Sequence, residues 1–121
     1  MELKITAVPK PRMTRADSWK KRACVQRYWA YKDELRLLLG KDFVMPESDY
    51  HLIFYLPMPK SWSEKKKAEF QETPHQSRPD KDNLEKAFLD AVCEEDSQIW
   101  DGRVTKLWGD EGRIILNLQT Q

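Results

Sequence analysis

The stretch RPDKDNLEKAFLDAVCEEDSQIWD, residues 78–101, sets eight acidic side chains against Arg78, Lys81 and Lys86 and contains one helix-length apolar pattern. Leu84, Ala87, Phe88, Ala91 and Val92 recur at i, i+3, i+4, i+7 and i+8, the spacing of one buried helix face, and predict a helix over 82–93. Asp82, Lys86 and Asp90, at i, i+4 and i+8, form a second stripe turned well away from the first, with Asn83 on its border. Asp80 follows Pro79, which restricts Arg78 and keeps the approach to the helix extended, so Asp80 can turn toward Asp82. Glu94, Glu95 and Asp96 come after the helix and reach the others only if tertiary structure brings them.

Two kinds of explanation fit this pattern. The structural one reads Asp82 with Glu85 as a capping box worth about 1 kcal/mol. It makes Lys86–Asp90 a surface pair and Glu94-Glu95-Asp96 a solvated turn. The chemical one starts from repulsion, since carboxylates forced together need a cation among them. Oxygen ligands without His or Cys suit Mg²⁺ or Mn²⁺. Such an ion lowers the pKa of a bound water and steadies charge on a phosphate under attack. An EF-hand loop fits poorly, because DKDNLE has no glycine at its sixth position.

Working outward, residues 2–8 (ELKITAV) alternate as a strand that Pro9 and Pro11 end, and PKPRMTRADS is a basic, proline-broken loop. Residues 19–39 predict the longest helix, with Cys24, Val25, Tyr28, Trp29, Leu35, Leu38 and Leu39 at helical spacing. Asp17 or Ser18 is placed to cap its start and Gly40 to stop it. Residues 50–57 (YHLIFYLP) are a strongly apolar strand. A short helix over roughly 62–70 starts at Ser61 or Ser63 and exposes Lys65, Lys66 and Lys67, and residues 71–79 read as a loop. Residues 99–108 and 112–119 predict two strands, joined as a hairpin by Gly109-Asp110-Glu111-Gly112. The expected fold is a single α/β (α+β) domain over 1–121, a mixed sheet of about four strands with a long N-terminal helix and a short motif-bearing helix.

Composition narrows the class. A chain of 121 residues supports one core. Cys24 and Cys93 make neither a disulfide scaffold nor, with His51 and His75, a zinc site of any recognised spacing, which suits reduced thiols in a cytoplasmic protein. No segment approaches a membrane span, the N-terminus lacks the apolar run of a signal peptide, and no glycine-rich loop supports a nucleotide cofactor. The net charge of +1 conceals +6 over residues 1–40 and −5 over 41–121, a basic half suited to a polyanion and an acidic half suited to cations. With five Trp, the core or an interface is expected to use aromatics; Tyr28, Trp29, Phe54 and Tyr55 are candidates for core or dimer packing.

DKDNLEKAFLDAV followed by EDSQIWD resembles the signature of RusA-type Holliday junction resolvases. That family reads roughly D-x-D-N-L-x-K-x-x-x-D-A-L, then an acidic pair, a small residue, Gln, two apolar residues and Asp. Asp80, Asp82, Asn83, Leu84, Lys86, Asp90, Ala91, Asp96, Ser97, Gln98 and Asp101 match. Val92 stands where a bulkier Leu is common, Cys93-Glu94 make a short connection, and residues 58–79 are an insertion relative to compact members. The resemblance implies a homodimeric, Mg²⁺-dependent endonuclease of four-way junctions in recombination and repair, from a family common in phage and prophage genomes. It places the essential aspartates, as metal ligands, at Asp80, Asp82 and Asp96, and the catalytic lysine at Lys86.

Phosphate contacts are expected from Lys10, Arg12, Arg15, Lys20, Lys21, Arg22 and Arg27, giving affinity with a steep salt dependence and no sequence reading. Three other functions remain open. A non-catalytic junction binder would not cut at millimolar Mg²⁺, and a protein-interaction module would not bind DNA. A nuclease for flaps or forks would differ only in its substrate panel.

Overall fold

The computed structural model describes residues 1–12 and 22–118. Its elements are β1 (Glu2–Leu3), α1 (Ala23–Leu39), β2 (Tyr50–Pro57), α2 (Glu64–Phe70), α3 (Lys81–Val92), β3 (Arg103–Gly109) and β4 (Arg113–Leu118), with a 3₁₀ turn at Asp96–Gln98. The four strands form one mixed sheet in the order β1-β4-β2-β3. β2, the most apolar strand, takes an interior position, parallel to β3 and antiparallel to β4. Residues paired across the ladders share a face. Leu52, Phe54, Leu56, Ile114, Leu116 and Leu3 therefore point one way, into the core. His51, Ile53, Arg103, Thr105, Ile115 and Asn117 point the other way and are half-buried or exposed.

The expected hairpin is absent. β3 and β4 do not pair, because β2 lies between them. The link from Gly109 to Arg113 crosses the end of β2 and spans about 10 Å, two strand spacings. A turn signal is local: it marks a reversal and does not say which strand becomes the neighbour. The apolar β2 takes the position paired on both sides, which leaves the more polar β3 at the edge. Gly112 has a packing reason of its own, since a Cβ there would overlap Thr6.

β1 is shorter than the expected strand over 2–8. Leu3, Ile5 and Ala7 keep the alternating burial, but the Ile5 amide donates back to the Leu3 carbonyl (2.9 Å), so the chain turns out of the ladder. α1 begins at Ala23 behind an extended Arg22 rather than at 19, and stops at Gly40 (φ 86°), whose amide bonds the Arg36 carbonyl. Asp17 and Ser18 lie outside the described residues. Val25, Tyr28, Tyr31 and Leu35 form the buried face of α1, whereas Trp29 is 42% exposed. Tyr28, Phe54 and Tyr55 are core residues. α2 starts one residue after Ser63, whose side chain accepts from the Lys66 amide (3.2 Å). Residues 72–75, expected as plain loop, cover part of the β3 edge through Glu72 N–H to Trp108 O, Trp108 N–H to Thr73 O and His75 N–H to Lys106 O (3.0–3.1 Å).

α3 buries Leu84, Ala87, Phe88 and Ala91 as its spacing predicts, and Leu89 as well. Phe88 meets Phe54 edge-on, with ring centroids 6.4 Å apart, and fixes the helix on the sheet. α1 packs against α3.

Candidate active site

Asp80 is the residue ahead of α3, in extended backbone (φ −67°, ψ 146°), and its side chain does not cap the helix. Asp82 Oδ1 accepts from the Asn83 amide (3.0 Å). The capping box with Glu85 does not form, because Glu85 turns away to accept from the Tyr50 hydroxyl (2.6 Å). Asp80, Asp82 and Lys86 are all exposed, and Lys86 sits one helical turn beyond Asp82. Two carboxylates and an ammonium thus face solvent in a row along the first half of α3.

The third member of the expected stripe behaves differently. Asp90 is half-buried and paired not with Lys86 but with the Tyr28 hydroxyl (2.6 Å) and the Lys10 ammonium (2.8 Å). Burial pushes the Asp90 carboxyl up, and the bonds from Lys10 and Tyr28 outweigh it and hold the group below the usual carboxylate range. Burial, then Asp90, push the Tyr28 hydroxyl well above its ordinary value. Asp90 ties the N-terminal loop and α1 to α3.

Asp96 lies beyond the other end of the helix. Arg36 of α1 donates to the Ala91 carbonyl (2.9 Å) in the last turn, and Asp96 opens the 3₁₀ turn that follows. Burial and nearby Asp96 push the Cys93 thiol up; Cys93 and Cys24 are both unpaired and half-buried. From Asp80 to Val92 the helix rises about 18 Å. Among the described residues no three His, Cys, Asp or Glu side chains stand close enough to hold a metal ion. Asp80, Asp82 and Lys86 thus share the start of α3, and Asp96 does not complete a three-acid cluster with Asp80 and Asp82.

The basic set is also sorted. Lys10 is committed to Asp90, and its carbonyl accepts from the Asn83 side-chain amide (3.3 Å), which lays the N-terminal segment along α3. Arg22 donates to the Arg12 carbonyl (2.8 Å), bringing the two ends of the basic loop together. Arg12, Arg22 and Arg27 are exposed; Arg15, Lys20 and Lys21 lie outside the described residues.

Sequence reasoning missed Lys106 and Gly102. Lys106 donates to the Ser77 carbonyl (2.7 Å) and the Pro79 carbonyl (2.6 Å), immediately ahead of Asp80. Gly102 lies under the Tyr50 ring, where any Cβ would overlap it. The motif's fixed Asp101 beside a glycine was the available hint for the second; a lysine inside a strand carries no comparable signal.

The family model of endodeoxyribonuclease RusA matches residues 2–119, nearly the whole chain. The chain belongs to the RusA endodeoxyribonuclease family. The match runs through both the acidic motif and the tract at 58–79 that carries α2. No curated protein matches the chain. Membership in the RusA family makes this a nuclease fold whose family acts on branched DNA junctions. No helix among the described residues is long and apolar enough to cross a membrane.

Proposed function

We propose that the chain is a Mg²⁺-dependent, homodimeric resolvase that nicks four-way DNA junctions in recombination and repair. The observation that carries this is the solvent-facing row Asp80, Asp82 and Lys86, set beside a basic segment fastened to the same helix by Lys10–Asp90 and Asn83. Lys86 stands where its ammonium can offset charge building on a phosphate held at that row. The basic loop supplies backbone contacts without base reading.

Carboxylate oxygens without His or Cys favour Mg²⁺ or Mn²⁺ over softer ions. Among the described residues of one chain no three such groups come close enough to hold an ion. The reading therefore needs a second copy, in which Asp96 of one protomer approaches Asp80 and Asp82 of the other. A closed two-fold arrangement also presents two equivalent sites, as a junction with two symmetric strands requires. Apolar side chains left uncovered beside the Asp96 turn suit such a contact: Leu37 is 83%, Val44 81% and Trp100 72% exposed.

The test is a labelled four-way junction and a matched linear duplex, each with Mg²⁺ and with EDTA, alongside Asp82→Asn. Paired, metal-dependent nicks confined to the junction, lost in Asp82→Asn while binding persists, are expected. Binding without cutting at any Mg²⁺ or Mn²⁺ concentration would replace the resolvase with a junction-binding protein.

A further inference from the structure

Lys106 is an unusual residue for its place. Its ladder partner is Phe54, so its side chain leaves β3 on the same face as the core. At an edge strand a long aliphatic stem can lie along apolar surface and carry its ammonium outward. Here the half-buried side chain turns its ammonium back onto the chain. It ends between two backbone carbonyls, Ser77 O at 2.7 Å and Pro79 O at 2.6 Å, both lengths of strong charge-assisted bonds. The next residue after Pro79 is Asp80. Behind the same loop, His75 N–H bonds the Lys106 carbonyl, and the His75 ring packs at a tilt against Trp108, with ring centroids 4.1 Å apart. The segment entering α3 is therefore gripped twice by β3, once through its backbone and once through the Lys106 amine.

We propose that Lys106 is a positioning residue for Asp80: by holding the two carbonyls just ahead of it, the ammonium sets where the Asp80 carboxylate stands relative to Asp82. The proposal rests on the reading of Asp80 and Asp82 as part of the cutting site. A carboxylate on an exposed helix lead-in would otherwise sample many directions, and a site works only when its groups are held in place by a supporting layer. Burial holds the Lys106 ammonium below its ordinary range, and the nearby Asp80 carboxylate acts the other way. Trp62, packed between Phe70 (5.2 Å) and Trp108 (4.9 Å), roots α2 on β3, and the chain returning from it is delivered into the Lys106 grip.

The experiment compares wild type with Lys106→Met, Lys106→Gln and Lys106→Arg. Methionine keeps the stem without a donor, glutamine is too short to reach both carbonyls, and arginine can still donate to two. Backbone NMR order parameters for Ser77, Arg78 and Asp80–Asp82 are measured without DNA. Junction affinity is measured in EDTA, and junction cleavage in Mg²⁺. Wild type is expected near about 0.85 over the loop, with Lys106→Met and Lys106→Gln falling below about 0.6 and Lys106→Arg restoring order. Cleavage should fall about 10- to 100-fold in the first two variants with junction affinity unchanged, and recover in Lys106→Arg. Unchanged order parameters in Lys106→Met would overturn the proposal. So would a loss of junction affinity in step with cleavage, which would make Lys106 a DNA contact. If wild type cuts no branched DNA, it is the resolvase reading that fails, and the order parameters still decide whether Lys106 holds Asp80.

Discussion

At its N-terminal end, α3 is held from outside: Lys106 grips the two carbonyls ahead of Asp80, and Asn83 bonds the Lys10 carbonyl. At its C-terminal end the helix is capped by Arg36, and the turn carrying Asp96 is held by short-range bonds: Glu95 to the Ser97 amide (3.3 Å) and Asp96 O to the Ile99 amide (3.1 Å). Its ties elsewhere come later, where the Trp100 amide meets Glu47 O (3.0 Å) and Gly102 fits beneath Tyr50. One end presents its acids on a fixed lead-in; the other presents Asp96 on a small turn beside uncovered apolar side chains. The motif's offsets join both ends along the chain, yet among the described residues no three of its acids cluster. The difference teaches that fixed spacing measures how residues are carried, not that they converge.

The largest effects should fall on cutting, and at both ends alike. Asp80→Asn and Asp96→Asn are each expected to lower junction cleavage by more than the roughly 100-fold that supporting residues typically cost. Both should stay within about 0.5 kcal/mol of wild-type stability in urea unfolding, since neither carboxylate anchors the fold. If only the Asp80 variant lost activity, the C-terminal turn would have no share in the site.

A step smaller is Gly102→Ala. Its Cβ must displace the Tyr50 ring, which is held by Glu85, so a loss of about 1–3 kcal/mol is expected, with cleavage reduced through a shifted C-terminal turn. Wild-type stability in that variant would mean the turn adjusts freely. Tyr28→Phe removes one of the two partners of Asp90 and should cost about 1–2 kcal/mol, read as a lower melting temperature. Unlike Gly102→Ala, it should loosen the attachment of the N-terminal loop to α3, and so weaken junction affinity more than catalysis. The opposite split would reverse the roles assigned to the two ends.

The smallest effect is in pH. Burial, then Lys106, hold His75 below the usual histidine range, and burial, then Arg103, do the same for His51. The unfolded chain then binds protons that the folded chain refuses. Stability from these groups is complete above about pH 6.5 and declines as pH falls through the unfolded value toward the lower folded ones. Urea midpoints should therefore drop between pH 7 and pH 5, less so in His75→Gln. A midpoint that rises over that interval would contradict the buried placement of His75 against β3.

Much of this architecture was legible in residue spacing. The 3.6-residue pattern around Phe88 identified the buried face of α3, and the apolar run YHLIFYLP located the strand that takes an interior place in the sheet. What could not be read shares one cause. The partners of Asp90 are a tyrosine 62 residues away and the still more distant Lys10, the neighbour of β3 is β2 rather than β4, and the grip on Ser77 and Pro79 comes from a strand almost thirty residues later. Local pattern fixes which way a side chain faces and carries nothing about what it meets. The clustered acids stand out in the sequence because their chemistry is unusual; Lys106 does not, because only its ladder partner Phe54 shows that it leaves the strand on the core face.

The direct test of an acid set shared between protomers is complementation. Asp82→Asn and Asp96→Asn proteins are purified, unfolded together, refolded as a mixture, and assayed on a four-way junction with Mg²⁺. If Asp80 and Asp82 of one protomer work with Asp96 of the other, each mixed dimer has one site carrying both substitutions and one site intact. Nicking of one strand should then return, although each variant alone is inactive. A mixture as inactive as its components, with mixed dimers shown to be present, would mean that each chain uses only its own acids and would contradict the account.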